Sequence, residues 1–273
     1  MRPDRVLIGC DDVRVQEIMK ELYAPFMRTG KPILCMGVRS AEMTKYAVNV
    51  TLAARISLIN ELANICEAYG ADIGEVREGL MADTRIGSTY LFPGLGFGGS
   101  CLPKDVAACA TFARDKGISC DMLDAVSAVN DRQVQMFIER IFRHYGGSVK
   151  DRRFAIWGLS FKPRTDDIRH APALRVLDAL LEGGASVAVY DPVANRKVAA
   201  IYGGRILVGA KSYAVLEGAD GLVIATEWRE FHNPDFARIA SLMREKVIFD
   251  GRNLYNPKVL AGHGFRYYSI GRA

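Results

Sequence analysis

No stretch of this sequence reaches the roughly 18 consecutive apolar residues of a membrane span. Its first residues, Met1-Arg2-Pro3-Asp4, do not open a signal peptide. Histidine is scarce: His144, His170, His232 and His263 are scattered and form no metal-ligand cluster, so no metal is expected. The six cysteines (Cys10, Cys35, Cys66, Cys101, Cys109, Cys120) contain no C-x-x-C pair and all lie in the first 120 residues. A disulfide framework is not expected at this size, and a reducing cytoplasm is the natural compartment. There is no block of Lys and Arg, no zinc-finger spacing and no aromatic RNA-binding signature, which argues against nucleic acid. The net charge of +5 suits an anionic small ligand at least as well.

What is present is an ordinary globular composition, 49% hydrophobic over 273 residues, which is about two domains' worth of chain. Residues 4–9 read as a strand, Val13 to Phe26 as an amphipathic helix and Pro32 to Met36 as a second strand. Ser40-Ala41-Glu42-Met43 places a capping residue ahead of acid and predicts a helix start. That helix runs to Tyr69, stops at Gly70, and is apolar on more than one stripe, which predicts burial or a subunit interface. Further helices are expected at Ile73–Met81, Asp105–Lys116 and Asp121–Tyr145. From Arg153 strands alternate with helices: strands at 154–158, 186–190, 205–208, 221–225, 247–250 and 267–270, with helices at 173–181 and 195–202 among them. That alternation predicts a parallel sheet with right-handed crossovers. Ligands then bind beyond the carboxyl ends of its strands, so Ser160 to Arg169, Asp191, Thr226 to Trp228 and Gly251-Arg252 matter. Gly146–Arg152 is the expected boundary between the halves.

Cys101 stands out. It ends the glycine-rich turn Gly96-Phe97-Gly98-Gly99-Ser100 and precedes Leu102-Pro103-Lys104-Asp105, which reads as a helix start. Free amides and the positive end of a helix dipole favour the thiolate there, and Lys104 adds positive charge. Asp105, four positions on, can return its carboxylate toward the sulfur. The alternative is a buried cysteine in a tight turn. Gly94-x-Gly96-x-x-Gly99 fits the dinucleotide-binding pattern, but it follows Pro93 rather than a strand, and helical sequence continues to about Tyr145. It is therefore not read as a cofactor loop. The turn Gly158-Leu159-Ser160-Phe161-Lys162-Pro163 is not such a loop either.

These residues resemble the UDP-glucose/GDP-mannose dehydrogenase family, the nucleotide-sugar 6-dehydrogenases. The likeness runs through Pro3 to Gly9, Ser40 to Tyr46 with Asn49, Arg85-Ile86-Gly87 and Gly96 to Asp105. It continues through Phe161-Lys162-Pro163, Thr165 to Arg169, Tyr190-Asp191-Pro192 and Asp250-Gly251-Arg252-Asn253. The resemblance implies an α/β protein in three parts. Residues 1–38 are a strand-helix-strand remnant of an N-terminal NAD-binding domain. Residues 39–150 are a central helical domain with the cysteine loop. Residues 151–273 are a C-terminal, Rossmann-like UDP-sugar-binding domain.

It also implies the chemistry. A sugar C6 alcohol is oxidised in two NAD-dependent steps, with UDP-glucose giving UDP-glucuronate through a thiohemiacetal and a thioester on Cys101. Lys45 and Asn49, one helical turn apart, would bind near the reacting oxygen, and Asp105 would orient water or Lys45. Phe97, Gly98, Gly99, Ser100 and Lys104 would line the sugar site. Phe161 and Lys162 would meet the UDP phosphates and Arg252 the sugar nucleotide. Arg85 would reach a neighbouring subunit's site, Arg169 would contact NAD, and the helix over residues 40–69 would form a homodimer. Leu95 and Leu102 replace residues commonly Pro and Phe in the family, a change of packing. The glycine-rich dinucleotide loop and an upstream acidic segment have no counterpart, so the chain alone is expected to lack dehydrogenase activity. Two other readings stay open: an inactive UDP-sugar-binding and dimerisation module, and a relative acting on GDP-mannose or UDP-N-acetylmannosamine.

Overall fold

The computed structural model describes residues 4–27, 30 and 32–272, so what was expected of residues 1–3, Pro3 included, lies outside the described residues. The chain divides into two compact units, residues 1–51 and 52–273.

In the first unit, β1 (Val6–Gly9) and β2 (Ile33–Met36) pair in parallel, with Val6 opposite Ile33 and Gly9 opposite Met36. The crossover is α1 (Val13–Tyr23), capped by Asp12, whose carboxylate accepts from the Arg14 amide at 2.8 Å. The helical period continues to Phe26, but Pro25 has no N–H to give back, and Ala24–Phe26 tightens into a 3-10 turn. Helix α2 (Val38–Tyr69) begins one residue after β2. The Ala41 amide donates to the Gly37 carbonyl at 3.1 Å, so Ser40 already lies inside the helix and does not cap it. The β2–α2 turn is the single residue Gly37, shorter than the capping pattern assumes. Gly9 is needed where β1 meets this helix, since a Cβ there would sit 2.7 Å from that of Ala41.

The second unit continues α2 and adds α3 (Ile73–Ala82), α4 (Leu102–Arg114) and α5 (Asp121–His144). Six parallel strands follow: β3 (Arg153–Trp157), β4 (Ser186–Tyr190), β5 (Leu207–Val208), β6 (Gly221–Ile224), β7 (Val247–Asp250) and β8 (Arg266–Tyr268). Their order in the sheet is β5-β4-β3-β6-β7-β8, the doubly wound arrangement with its direction change between β3 and β6. The crossovers carry α6 (Pro172–Glu182), α7 (Asn195–Tyr202), α8 (Phe236–Leu242) and α9 (Pro257–Gly262). β5 is shorter than the apolar pattern at 205–208, because Gly203–Arg205 forms a 3-10 turn first.

Alternate strand residues feed two cores. Phe154, Ile156, Val187, Val189 and Phe249 pack with α5 and α6 through Phe137, Ile141, Val176 and Leu177. On the other face Ala155, Trp157, Leu222, Ile224 and Ile248 pack with Phe231, Ile239 and Leu260. Burial on both faces explains the continuous apolar strands, each fully buried Leu, Ile or Phe contributing about 1.5–3 kcal/mol. The first core also takes Ile59, Ala63 and Cys66 from α2 and Val149 from the 146–152 connection. The long-helix region and the sheet therefore share one interior.

Candidate active site

The loop over residues 94–101 has little regular hydrogen bonding of its own and is held by side chains from helices. The Gly94 amide donates to Asn60 Oδ1 at 2.8 Å, and Gln133 Nε2 donates to the Gly94 carbonyl at 3.0 Å. Asn130 takes the Phe97 amide on Oδ1 at 2.7 Å and returns its Nδ2 to the Phe97 carbonyl at 3.1 Å. The Leu95 amide donates to the Gly251 carbonyl at 3.0 Å. Asn60, Asn130 and Gln133 are buried, and none stood out in the sequence. The signal was a polar residue on an otherwise apolar helical stripe.

The loop must be glycine where the 158–171 segment crosses it. A Cβ on Gly98 would lie 2.2 Å from the His170 carbonyl oxygen. One on Gly99, at φ +80°, would meet the Phe161 ring at 2.7 Å. The Gly99 amide donates to the Arg169 carbonyl at 2.8 Å. Gly98, Gly99, Phe161 and Arg169 are thus brought together, next to Ser100 and Cys101.

Cys101 is the residue ahead of α4, and it is exposed. Its Sγ lies 3.7 Å from the Ser100 hydroxyl. Pro103 sits in the first turn, where its missing N–H costs nothing. Asp105 is fully buried and receives the Lys104 ammonium at 2.6 Å. The Lys104 charge therefore meets a carboxylate one residue along the helix.

Arg169 is two-thirds exposed and forks onto the Asp167 carboxylate at 2.7 and 2.9 Å. The guanidinium holds the Asp167 carboxyl down at about 2, while Asp167 first, and to a smaller degree Cys101, push Arg169 up. Phe161 closes the segment through its amide on the Asp167 carbonyl at 3.1 Å, and the Lys162 ammonium lies 5.3 Å from the Phe161 ring centre. Arg252 is held by Nε on the Ala225 carbonyl at 2.8 Å and faces Glu227 at 3.2 Å, while its buried Nη2 makes no hydrogen bond. Arg85 is exposed and forked onto Asp83 at 2.7 and 3.0 Å. Lys45 and Asn49 belong to the first unit, where with Asp4, Arg5, Leu7 and Val48 they line a concavity of about 400 Å³.

The crevice where the sheet changes direction is filled. Gly158, at φ +89°, lies against Thr226, with room of only 2.5 Å for a Cβ. The Thr226 hydroxyl donates to the Ser160 carbonyl at 2.5 Å. One carboxylate, Asp191 at the end of β4, accepts six hydrogen bonds. Oδ2 takes the Leu159 and Ser160 amides, the Ser160 hydroxyl and the Trp228 indole, and Oδ1 takes the Val193 and Ala194 amides. The turn amides that a dinucleotide's diphosphate would need are bonded to Asp191. Those of Gly94, Phe97 and Gly99 are likewise engaged. Neither turn offers the free amides that NAD would need. Among the described residues no group of three His, Cys, Asp or Glu is placed to hold a metal ion.

A doubly wound parallel sheet, a long-helix region and an exposed thiol ahead of α4 define an α/β protein of the doubly wound class. Two family models match: the central domain of the UDP-glucose/GDP-mannose dehydrogenase family over residues 39–132, and its UDP binding domain over residues 155–257. Together they cover well over half the chain, which belongs to that family. It is 46% identical to the UDP-glucose 6-dehydrogenase of Pseudomonas aeruginosa, over 99% of this chain and 61% of that protein. The UDP-glucose 6-dehydrogenase of Rhizobium meliloti is 40% identical over 99% and 62% respectively. A solved UDP-glucose dehydrogenase from the hyperthermophilic archaeon Pyrobaculum islandicum matches with TM-score 0.89 at 35% identity, covering 100% of this chain and 60% of that one. The chain thus spans about 60% of the length of these relatives. No helix among the described residues is long and apolar enough to cross a membrane.

Proposed function

We propose that this chain carries the thiol and the nucleotide-sugar site of a UDP-glucose 6-dehydrogenase, in the NAD-dependent oxidation of UDP-glucose to UDP-glucuronate. The observation that carries this reading is the exposed Cys101 at the amino end of α4, on a loop clamped by Asn60, Asn130 and Gln133. NAD would take the hydrides when bound, and the described residues offer it no diphosphate cradle. What the chain's own groups do follows from their chemistry. The Cys101 sulfur adds to the C6 aldehyde carbon, giving a thiohemiacetal. Its oxidation leaves a thioester, and water then releases the carboxylate and frees the thiol. In this reading Lys45 and Asn49, one turn apart on α2, have the role of stabilising oxygen charge, and Asp105 that of orienting water. Phe97 to Ser100 and Lys104 surround the sugar. Lys162 and the unpaired Nη2 of Arg252 hold the diphosphate with Phe161 beside them, while Arg169 faces NAD and Arg85 a neighbouring subunit.

The domain limits in this reading are 1–38, 39–150 and 151–273, and the compartment is the cytoplasm, consistent with six unpaired cysteines. A homodimer through α2 is supported by Leu58, Ile65 and Tyr69, exposed on a helix whose other face is core.

The test separates binding from chemistry. Calorimetry of the 273-residue chain with UDP should show binding that Arg252→Gln and Lys162→Gln weaken about tenfold each. The same chain with UDP-glucose and NAD should produce no NADH. Absence of UDP binding would overturn the site. NADH production by the chain alone would overturn its dependence on a cofactor cradle elsewhere. Equal or tighter binding of GDP would move the substrate to GDP-mannose.

A further inference from the structure

Helix α1 buries none of its residues. Its half-buried side is Gln16, Met19, Lys20 and Tyr23, and Gln16 Nε2 ties that side to the end of β1 by donating to the Cys10 carbonyl at 2.6 Å. The apolar stripe points elsewhere. Val15, Ile18 and Leu22 fall within about 60° of arc on the helix. All three are exposed, Ile18 at 62% and Leu22 at 60%, and exposed Phe26 follows them. A two-stranded parallel sheet under one helix is marginal in water, and parallel sheets are ordinarily covered on both faces. An open apolar stripe on so small a unit marks a contact surface.

The charges beside the stripe select the partner. Set out as a heptad, Val15 and Leu22 take a positions, Ile18 takes d, and Arg14 and Glu21 both take g. The two g residues are opposite in charge, exposed and in no ion pair among the described residues, whereas Lys20 holds Glu17 at 2.7 Å. In an antiparallel pair related by a two-fold axis, each flank faces the same flank of the other helix, run in reverse. Arg14 of each copy then meets Glu21 of the other. The centre of that pairing lies between Glu17 and Ile18. It sets Ile18 against Ile18 and lodges Val15 between Ile18 and Leu22 of the other copy. Stripe and charges therefore agree on one register. A parallel pair would instead set Arg14 against Met19, with no charge to meet.

We propose that α1 is a docking surface for a second copy of this chain, packed antiparallel through Val15, Ile18 and Leu22 and fixed in register by Arg14 and Glu21. The contact uses none of the α2 residues assigned above to a homodimer. Two unlike two-fold contacts on one chain join dimers into larger assemblies. With 11 residues in the helix, the contact falls below the roughly 1,200 Å² of stable interfaces, so the association is weak and rises with concentration.

Sedimentation of the full chain over a concentration series reads this contact. Arg14→Glu and Glu21→Arg should each weaken the association about tenfold, and the two together should restore it, because the swapped charges still meet. These changes leave α2 intact, so the charge swap reports on α1 alone, and it needs no nucleotide. Ile18→Cys under mild oxidation should give a cross-link between the two copies of position 18, mapped by mass spectrometry. An average mass that Arg14→Glu leaves unchanged would overturn the proposal and leave the stripe to a different protein. A double variant that stays as weak as the single ones would overturn the register, and with it the proposal. Should a charge variant fail to fold, the cross-link decides: its absence overturns the contact.

Discussion

The Gly99 amide donates to the Arg169 carbonyl at 2.8 Å, and through this bond the loop ending at Cys101 is joined to the loop carrying Phe161 and Lys162. The two surfaces touch so closely at Gly98 and Gly99 that neither loop can shift without the other. A ligand gripped by one is therefore presented to the other at fixed spacing.

Gly98→Ala should be costly because the new methyl would meet backbone, the His170 carbonyl oxygen at 2.2 Å, rather than a movable side-chain tip. The expected loss is about 2 kcal/mol or more in urea denaturation. Gly87→Ala is the comparison. Its φ is +69° but nothing lies within 4 Å of the built Cβ, so only backbone strain of about 1 kcal/mol applies. Equal effects from the two would refute the clamped-loop account.

Alkylation by iodoacetamide should rank the thiols by access. Cys101 is exposed, Cys109 intermediate and Cys66 buried. Cys101 should react first and Cys66 slowest, at least about tenfold apart. Peptide mapping that places Cys66 ahead of Cys101 would contradict the arrangement of the loop.

Asp191→Ala should unfasten the turn after β3. Removing the carboxylate strands the Leu159, Ser160, Val193 and Ala194 amides in a buried place, at a cost of about 3–5 kcal/mol. Trp228 reports on it, since its indole donates to the same oxygen at 3.0 Å. Its fluorescence should change in the native state of Asp191→Asn. An unchanged spectrum and midpoint would show that the six bonds contribute little.

His144 predicts a pH effect of definite sign. Burial, and after it the positive Arg266, lower its pKa below 6.5; Arg152 acts the same way and Glu245 opposes. The unfolded chain binds a proton as pH falls through 6.5, before the folded chain does. The neutral ring's contribution is therefore complete above that value and is lost as pH falls through the lowered one. The thermal midpoint should drop between about pH 7.5 and 5.5, and less so in His144→Phe, whose ring keeps its place against Phe249 and Tyr268. A variant that loses stability with acid as steeply as the parent would remove His144 from the account.

The sheet was readable because a doubly covered strand must be apolar throughout, as Phe154 to Trp157 and Gly221 to Ile224 are. Helix ends were read less well. Pro25 shortened α1, and Gly37 allowed α2 to start ahead of Ser40. Cys101 was legible from its glycines and Pro103. The groups that hold its loop were not: an Asn on a helix is most often a surface residue, and only the fold shows Asn60 and Asn130 turned inward onto Gly94 and Phe97. Asp191 was marked by its place after β4 and by the Tyr190-Asp191-Pro192 motif, neither of which shows what the carboxylate binds. That one carboxylate gathers two turns and an indole depends on residues 30 or more positions away.

The six-stranded sheet ends in very short border strands, β5 with two residues and β8 with three. Such stubs offer a foreign strand too few amides and carbonyls to zip onto. Copies of this molecule crowded together should therefore resist fibrous stacking along that sheet, and its lateral contacts fall to helical surfaces by default.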